Sequence, residues 1–132
     1  MVAIDSSLQL DWKIESAGTW AESGKPATEF ALKVMHDQGL SLKTHRSRQV
    51  NDAILANFAL ILTMEPGQKE ALQTEFPKFA GKIFMLSEMA GVTQPVNDPM
   101  GQSLNDYELV AKTIRFWLEK GKLKIYKLAA NR

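Results

Sequence analysis

The chain has 132 residues, with 16 Lys and Arg against 15 Asp and Glu, 45% hydrophobic residues, 23% charged residues and no Cys. That length suits one domain with a real core, and the composition lies far from the low-hydrophobicity, high-charge signature of disorder. A net charge of +1 supplies no whole-chain field for nucleic acid or an anionic membrane, and zero Cys with two His excludes disulfides, thiolate metal sites and a cysteine nucleophile among these residues.

Trp12 to Ser16 (WKIES) reads as a short strand, and Ser23 to Pro26 as a turn that puts Pro26 near the start of a helix. Ala27, Phe30, Ala31, Val34 and Met35 keep the spacing of one buried helical face, and Gly39 stands where a left-handed cap would end that helix near Gln38. A short helix follows from Asn51, an N-cap residue, to Asn57. Phe58 to Met64 (FALILTM) is apolar without alternation, which predicts a parallel strand covered on both faces. Pro66 opens another helix through about Phe76, and Lys82 to Leu86 is a second interior strand.

Gly91, Pro95, Pro99 and Gly101 mark a long loop, and Ser103 with Asp106 resembles a capping box at the start of the last helix. Tyr107, Val110, Ala111, Ile114, Trp117 and Leu118 form its core face, Gly121 is its stop signal, and residues 121–132 make a basic C-terminal tail. Together these elements predict an α/β fold, a small, mostly parallel sheet flanked by helices, as a single domain over residues 1–132. Ligands of such folds bind beyond the carboxyl ends of the strands, which points to the loops after Ser16, Met64 and Leu86. No apolar run approaches the roughly 18 residues of a membrane span, and the N-terminus lacks the basic start and apolar stretch of a secretory signal, so a cytoplasmic location is expected.

Four blocks occur in a familiar order: ESAGT at 15–19, GLSLKTHRSRQ at 39–49, ALILTM at 59–64 and NDPMG at 97–101. From about Ile14 to Leu118 the chain thereby resembles the low-molecular-weight protein tyrosine phosphatases, of the bacterial type. The resemblance implies that family's fold and phosphomonoester hydrolysis on phosphorylated protein side chains through a cysteinyl-phosphate, with no metal and no cofactor. It also exposes a departure. The family's N-terminal strand ends in a phosphate loop, a Cys, five residues and an Arg, whose backbone N–H groups and guanidinium hold the phosphate and keep the thiol ionised. Only 15 residues precede Ser16 here and none of the 132 is Cys, so the resemblance implies an N-terminally truncated version of the fold, inactive as it stands. Residues 1–9 are expected to retain a remnant of the family's first helix.

Residue by residue, Asp98 of the Asp-Pro pair matches the family's general acid and later base, and Pro99 would bias it away from helical geometry and stiffen its loop. Taken alone, without the resemblance, Asn97-Asp98-Pro99 reads first as a turn initiator. Ser16 and His45 match positions that brace the phosphate loop, although His45 also suits a loop histidine capping a nearby backbone group. Trp20 lies near one aromatic wall of the family's substrate slot, or is simply a partly buried loop aromatic. Met100 stands where eukaryotic members place a Tyr forming the other wall, which weakens any preference for a phosphorylated tyrosine over phosphoarginine, a substrate of some bacterial members. Arg46 and Arg48 read as a solvated surface pair, or as positive charge offered to a phosphorylated partner. The alternative to an enzyme is a non-catalytic module on the same scaffold that binds phosphoproteins, or self-associates or exchanges strands to cover an unpaired edge.

Overall fold

Two short parallel strands lie at the centre of the computed structural model, which describes residues 13–19 and 22–130. They are β1 (Ile61–Thr63) and β2 (Ile83–Met85), with Ile61 opposite Ile83, Leu62 opposite Phe84 and Thr63 opposite Met85. Successive strand side chains point to opposite faces. Ile61 and Ile83 join Val50, Leu55, Leu72 and Phe76 on one side. Leu60, Leu62, Met64 and Phe84 join Leu86, Met89 and Ile125 on the other. The sheet thus separates two apolar clusters, and this double covering is why the run from Phe58 to Met64 shows no polar alternation.

Helices close both faces, and their starts follow from local chemistry. In α1 (Glu29–Asp37), the Thr28 hydroxyl accepts from the Ala31 N–H, and Gly39 ends the helix at φ 79°. In α2 (Asp52–Ala56), the Asn51 side chain accepts from the Ile54 N–H at 2.9 Å. Carbonyls at its end and just beyond it are met from a distance. Lys82 Nζ donates to the Leu55 and Phe58 carbonyls at 2.7 and 2.6 Å, and burial holds its pKa below the ordinary lysine range. In α3 (Pro66–Glu75), Gln68 Oε1 accepts from the Met64 and Glu65 N–H groups. The final helix, α4 (Leu104–Ala130), opens on a reciprocal pair in which Ser103 donates to the Asp106 carboxylate and Asp106 N–H donates back to the Ser103 hydroxyl.

Five expectations need correction. Residues 13–16 form no strand: among the described residues the nearest sheet pairing is the single parallel bridge of Gly18 with Gln49, and Trp12 lies outside the described residues. α1 begins at Glu29 behind a Thr28 cap, three residues beyond Pro26. Two 3-10 helices, Pro77–Lys82 and Leu86–Ala90, flank β2 unannounced by any periodicity. Most consequentially, α4 does not stop at Gly121 and residues 121–130 are not a tail. Gly121 is buried inside α4 because the helix there rides against Met89, and a Cβ at this position would lie 2.5 Å from Met89 Cβ. Its role is close approach of backbones, with termination nowhere near. Phe30, expected on the buried face of α1, is 40% exposed and instead sets its ring edge-on to Tyr107 of α4 at 5.5 Å. No helix among the described residues is long and apolar enough to cross a membrane.

Candidate functional site

Three segments carry the residues singled out above. The first, residues 13–19, is fastened to the end of the loop before α2. Gly18 N–H donates to the Arg48 carbonyl at 2.9 Å and Val50 N–H donates to the Gly18 carbonyl at 3.0 Å. Arg48 adds the side-chain clasp: Nε donates to the Ser16 carbonyl at 3.0 Å, and Nη2 pairs with the Glu15 carboxylate. That guanidinium hydrogen bond holds the Glu15 carboxyl below the ordinary carboxylate range. Arg48 therefore organises this loop pair and is not a free surface charge. Sequence reasoning missed it because its partners lie 32 and 33 residues away, with no periodicity linking them.

The second segment, residues 39–49, holds His45. Its N–H donates to the Leu42 carbonyl at 3.0 Å, and its carbonyl accepts from Arg46 Nη1 at 2.6 Å. Arg46 also reaches the Lys43 carbonyl at 3.2 Å, so this second arginine too is spent on its own loop. Ser47 completes the fastening, its hydroxyl donating to the Glu22 carbonyl and accepting from the Lys25 N–H. Ser16 and His45 thus sit on two segments that the structure ties together around Arg48 and Ser47. Trp20 lies outside the described residues.

The third segment is the loop after residue 91. Val96, 4% exposed, is seated in the fold, and its N–H donates to the Met64 carbonyl at 2.8 Å, pinning the loop beyond the carboxyl end of β1. Asp98 is two residues farther on and exposed. Its Oδ1 accepts from the Met100 N–H at 2.9 Å, and Gln102 N–H donates to the Pro99 carbonyl at 2.9 Å. Gly101 takes φ 80°, the left-handed conformation that lets the loop turn back toward α4. The Asp-Pro turn and the candidate proton donor are therefore the same structure: the carboxylate folds its own loop through one oxygen. Met100 is 67% exposed and Pro99 half-buried. Among the described residues Asp98 is bonded within its own loop and not to Ser16 or His45.

A carboxylate held outside the end of a parallel strand can carry a proton to or from a bound group. It cannot supply a thiolate, and no residue of the 132 is Cys. Among the described residues, no group of three or more His, Cys, Asp and Glu could hold a metal ion.

The description of low molecular weight phosphotyrosine protein phosphatases matches residues 2–126. The chain belongs to that family. Within it, a probable low molecular weight protein-tyrosine-phosphatase EpsP of Ralstonia nicotianae is 33% identical over 100 residues, covering 76% of this chain and 68% of that one. The low molecular weight protein-tyrosine-phosphatase Wzb of Escherichia coli is 32% identical over 111 residues, covering 81% and 75%. A protein-arginine-phosphatase of Bacillus subtilis is 27% identical over 100 residues, covering 75% and 66%. In three dimensions, the low molecular weight protein tyrosine phosphatase of T. tengcongensis superposes with a TM-score of 0.85 at 31% identity, covering 90% of this chain and 82% of that one. The α/β architecture with a parallel sheet is thus the phosphatase fold, as the four sequence blocks implied.

Proposed function

We propose that the chain carries the scaffold and the acid-base side of a phosphatase acting on phosphorylated protein side chains, phosphotyrosine or phosphoarginine, and that these 132 residues alone do not complete the reaction. The observation that carries this reading is Asp98, set on a loop pinned to the carboxyl end of β1 in a chain matched by the family over residues 2–126. In this reading Asp98 protonates the leaving atom, the phenolic oxygen of phosphotyrosine or the guanidino nitrogen of phosphoarginine, and then takes a proton from the attacking water. Ser16 and His45 would brace the phosphate side, with Pro99 and Met100 at the rim. The nucleophile must be a thiolate, and the chain has none.

The reading makes two demands. The purified 132-residue chain should show no turnover of p-nitrophenyl phosphate, phosphotyrosine peptide or phosphoarginine peptide, and turnover that Asp98→Asn abolishes would overturn it. If the DNA upstream of the Met1 codon encodes, in frame, a Cys, five residues and an Arg, the longer protein should hydrolyse the same substrates. Asp98→Asn should then lower its kcat by about 100-fold or more, the usual share of a general acid.

A second reading, a non-catalytic interaction module on the same scaffold, draws support from the apolar strand β1. Among the described residues β1 pairs with β2 alone, which leaves Leu60 to Met64 with one described ladder neighbour. Self-association or strand exchange would cover that edge. Light scattering should then report a species larger than one chain, and a well-folded monomer at high concentration would remove this reading.

A further inference from the structure

The side of α4 that faces away from the core carries an arrangement that the phosphatase reading leaves unused. Leu109, Phe116 and Leu123 follow one another at intervals of seven residues and are 62%, 48% and 83% exposed. Seven residues advance a helix by about 10.5 Å and bring it round to nearly the same face, so the three side chains form one straight row about 21 Å long. Lys112, Arg115, Lys120 and Lys127 are exposed on the same side of the helix, against exposed Glu119 and half-buried Glu108, while Lys124 turns back to the Glu88 carbonyl at 3.4 Å. Four cations against two acids leave +2 here, although the whole chain totals +1. The near-neutral total therefore hides a basic face with apolar anchors. Lys120 already lies over the Phe116 ring, its Nζ 5.6 Å from the centroid, with its stem along the apolar row.

We infer that this face of α4 docks peripherally on an anionic lipid surface, Leu109, Phe116 and Leu123 entering the headgroup region while the flanking Lys and Arg side chains meet lipid phosphates. Pattern and charge select this occupant over others. A partner helix would need a second apolar position three or four residues after each anchor to make a seam. The positions there are Lys112 and Thr113, Glu119 and Lys120, Tyr126 and Lys127, so the ridge is single and no knob finds a hole. A second copy laid antiparallel about Phe116 would set Lys112 beside the other copy's Lys120, like charge against like. A flat anionic surface needs only one ridge with cations on its flanks, and long basic side chains reach outward to it while their stems stay on the apolar row. The inference is independent of whether Asp98 takes part in any reaction.

Co-sedimentation of the full 132-residue chain with vesicles tests it. Vesicles of phosphatidylcholine with about one-third phosphatidylserine should pull the chain down, pure phosphatidylcholine should not, and raising salt should weaken binding as screening dictates. The triple variant Leu109→Ser, Phe116→Ser, Leu123→Ser and the charge variant Lys112→Glu, Lys120→Glu, Lys127→Glu should each lower the partition coefficient at least tenfold while keeping the wild-type circular dichroism spectrum. Because all six side chains are exposed, both variants should fold. Three results would each overturn the inference: no binding to anionic vesicles, binding undiminished in the folded triple-serine variant, or a dimer whose formation removes the row from solvent. Binding of an acidic peptide in place of vesicles would also count against it.

Discussion

Gly121→Ala adds a methyl group where α4 and the Leu86–Ala90 helix already touch. A Cβ there would lie 2.5 Å from Met89 Cβ and 2.9 Å from the Met89 carbonyl carbon. Carbon atoms in comfortable contact stand about 3.5–4.0 Å apart, so the two elements would have to part by roughly 1 Å. Neither Met89 atom is the end of a flexible side chain, and moving them disturbs Leu86 and Ile125 in the same cluster. Overpacking of this kind costs about 1–3 kcal/mol. Alanine returns about 1 kcal/mol as the better helix former. The expected net is a loss of about 1 kcal/mol, and up to about 2 kcal/mol, or several degrees in melting temperature for a domain of this size. Gly67→Ala, in the first turn of α3 with nothing within 4 Å of the added methyl, isolates the helix-forming term and should leave stability unchanged or raised. Thermal and urea unfolding followed by circular dichroism compares the two. A Gly121→Ala protein as stable as the Gly67→Ala protein would refute the close-approach argument and restore the glycine to an accident of sequence.

Three further outcomes are expected. At Glu88, burial pushes the carboxyl up, but the Lys69 ammonium at 2.7 Å, the Met85 N–H and Lys124 outweigh it and hold the pKa below 4.5. A lowered carboxylate pKa contributes stability above the unfolded value and loses it as pH falls through the folded one. The urea midpoint of the wild-type chain should therefore drop faster than that of Glu88→Gln below about pH 4.5, and parallel curves would exclude this role. Lys82→Met removes the donor from the Leu55 and Phe58 carbonyls and should cost about 1–3 kcal/mol in urea unfolding. An unaffected midpoint would mean that water replaces the ammonium without loss. Arg48→Ala should speed hydrogen exchange at the Gly18 and Val50 amides severalfold with little change in global melting, since the clasp is exposed and local. Unchanged exchange at both amides would show that the backbone bridge stands without the arginine.

Much of the fold was legible because its signals are short-range. Asn51, Ser103 with Asp106, Pro66 and Gly39 each act within a few residues, and each does in the structure what its chemistry dictates. The strands at 61–63 and 83–85 could be read because both faces are covered, which removes alternation. What escaped depends on distant partners. Gly121 carries the composition of a helix stop, and only the proximity of Met89 shows why glycine stands there inside a continuing helix. The segment at 13–16 has the composition of a strand, but composition supplies no neighbour to pair with. In these loops the turn at Asp98 was legible through its Asp-Pro motif, whereas Arg48 was misread as surface charge because Glu15 and Ser16 are brought to it by tertiary folding.

The bond from Val96 to Met64 sets the working radius of the candidate acid. Asp98 follows Val96 by two residues, and two residues of extended chain span at most about 7 Å. However the loop moves while that bond holds, the carboxylate travels on a short tether centred on the carboxyl end of β1. Under the role proposed for Asp98, the phosphoryl group must come to that small sphere, carried there by whatever supplies the nucleophile. The position of the acid is thus inherited from the sheet by the main chain. Under the role proposed for Asp98, a change at Met100 should alter the choice of substrate without moving the proton.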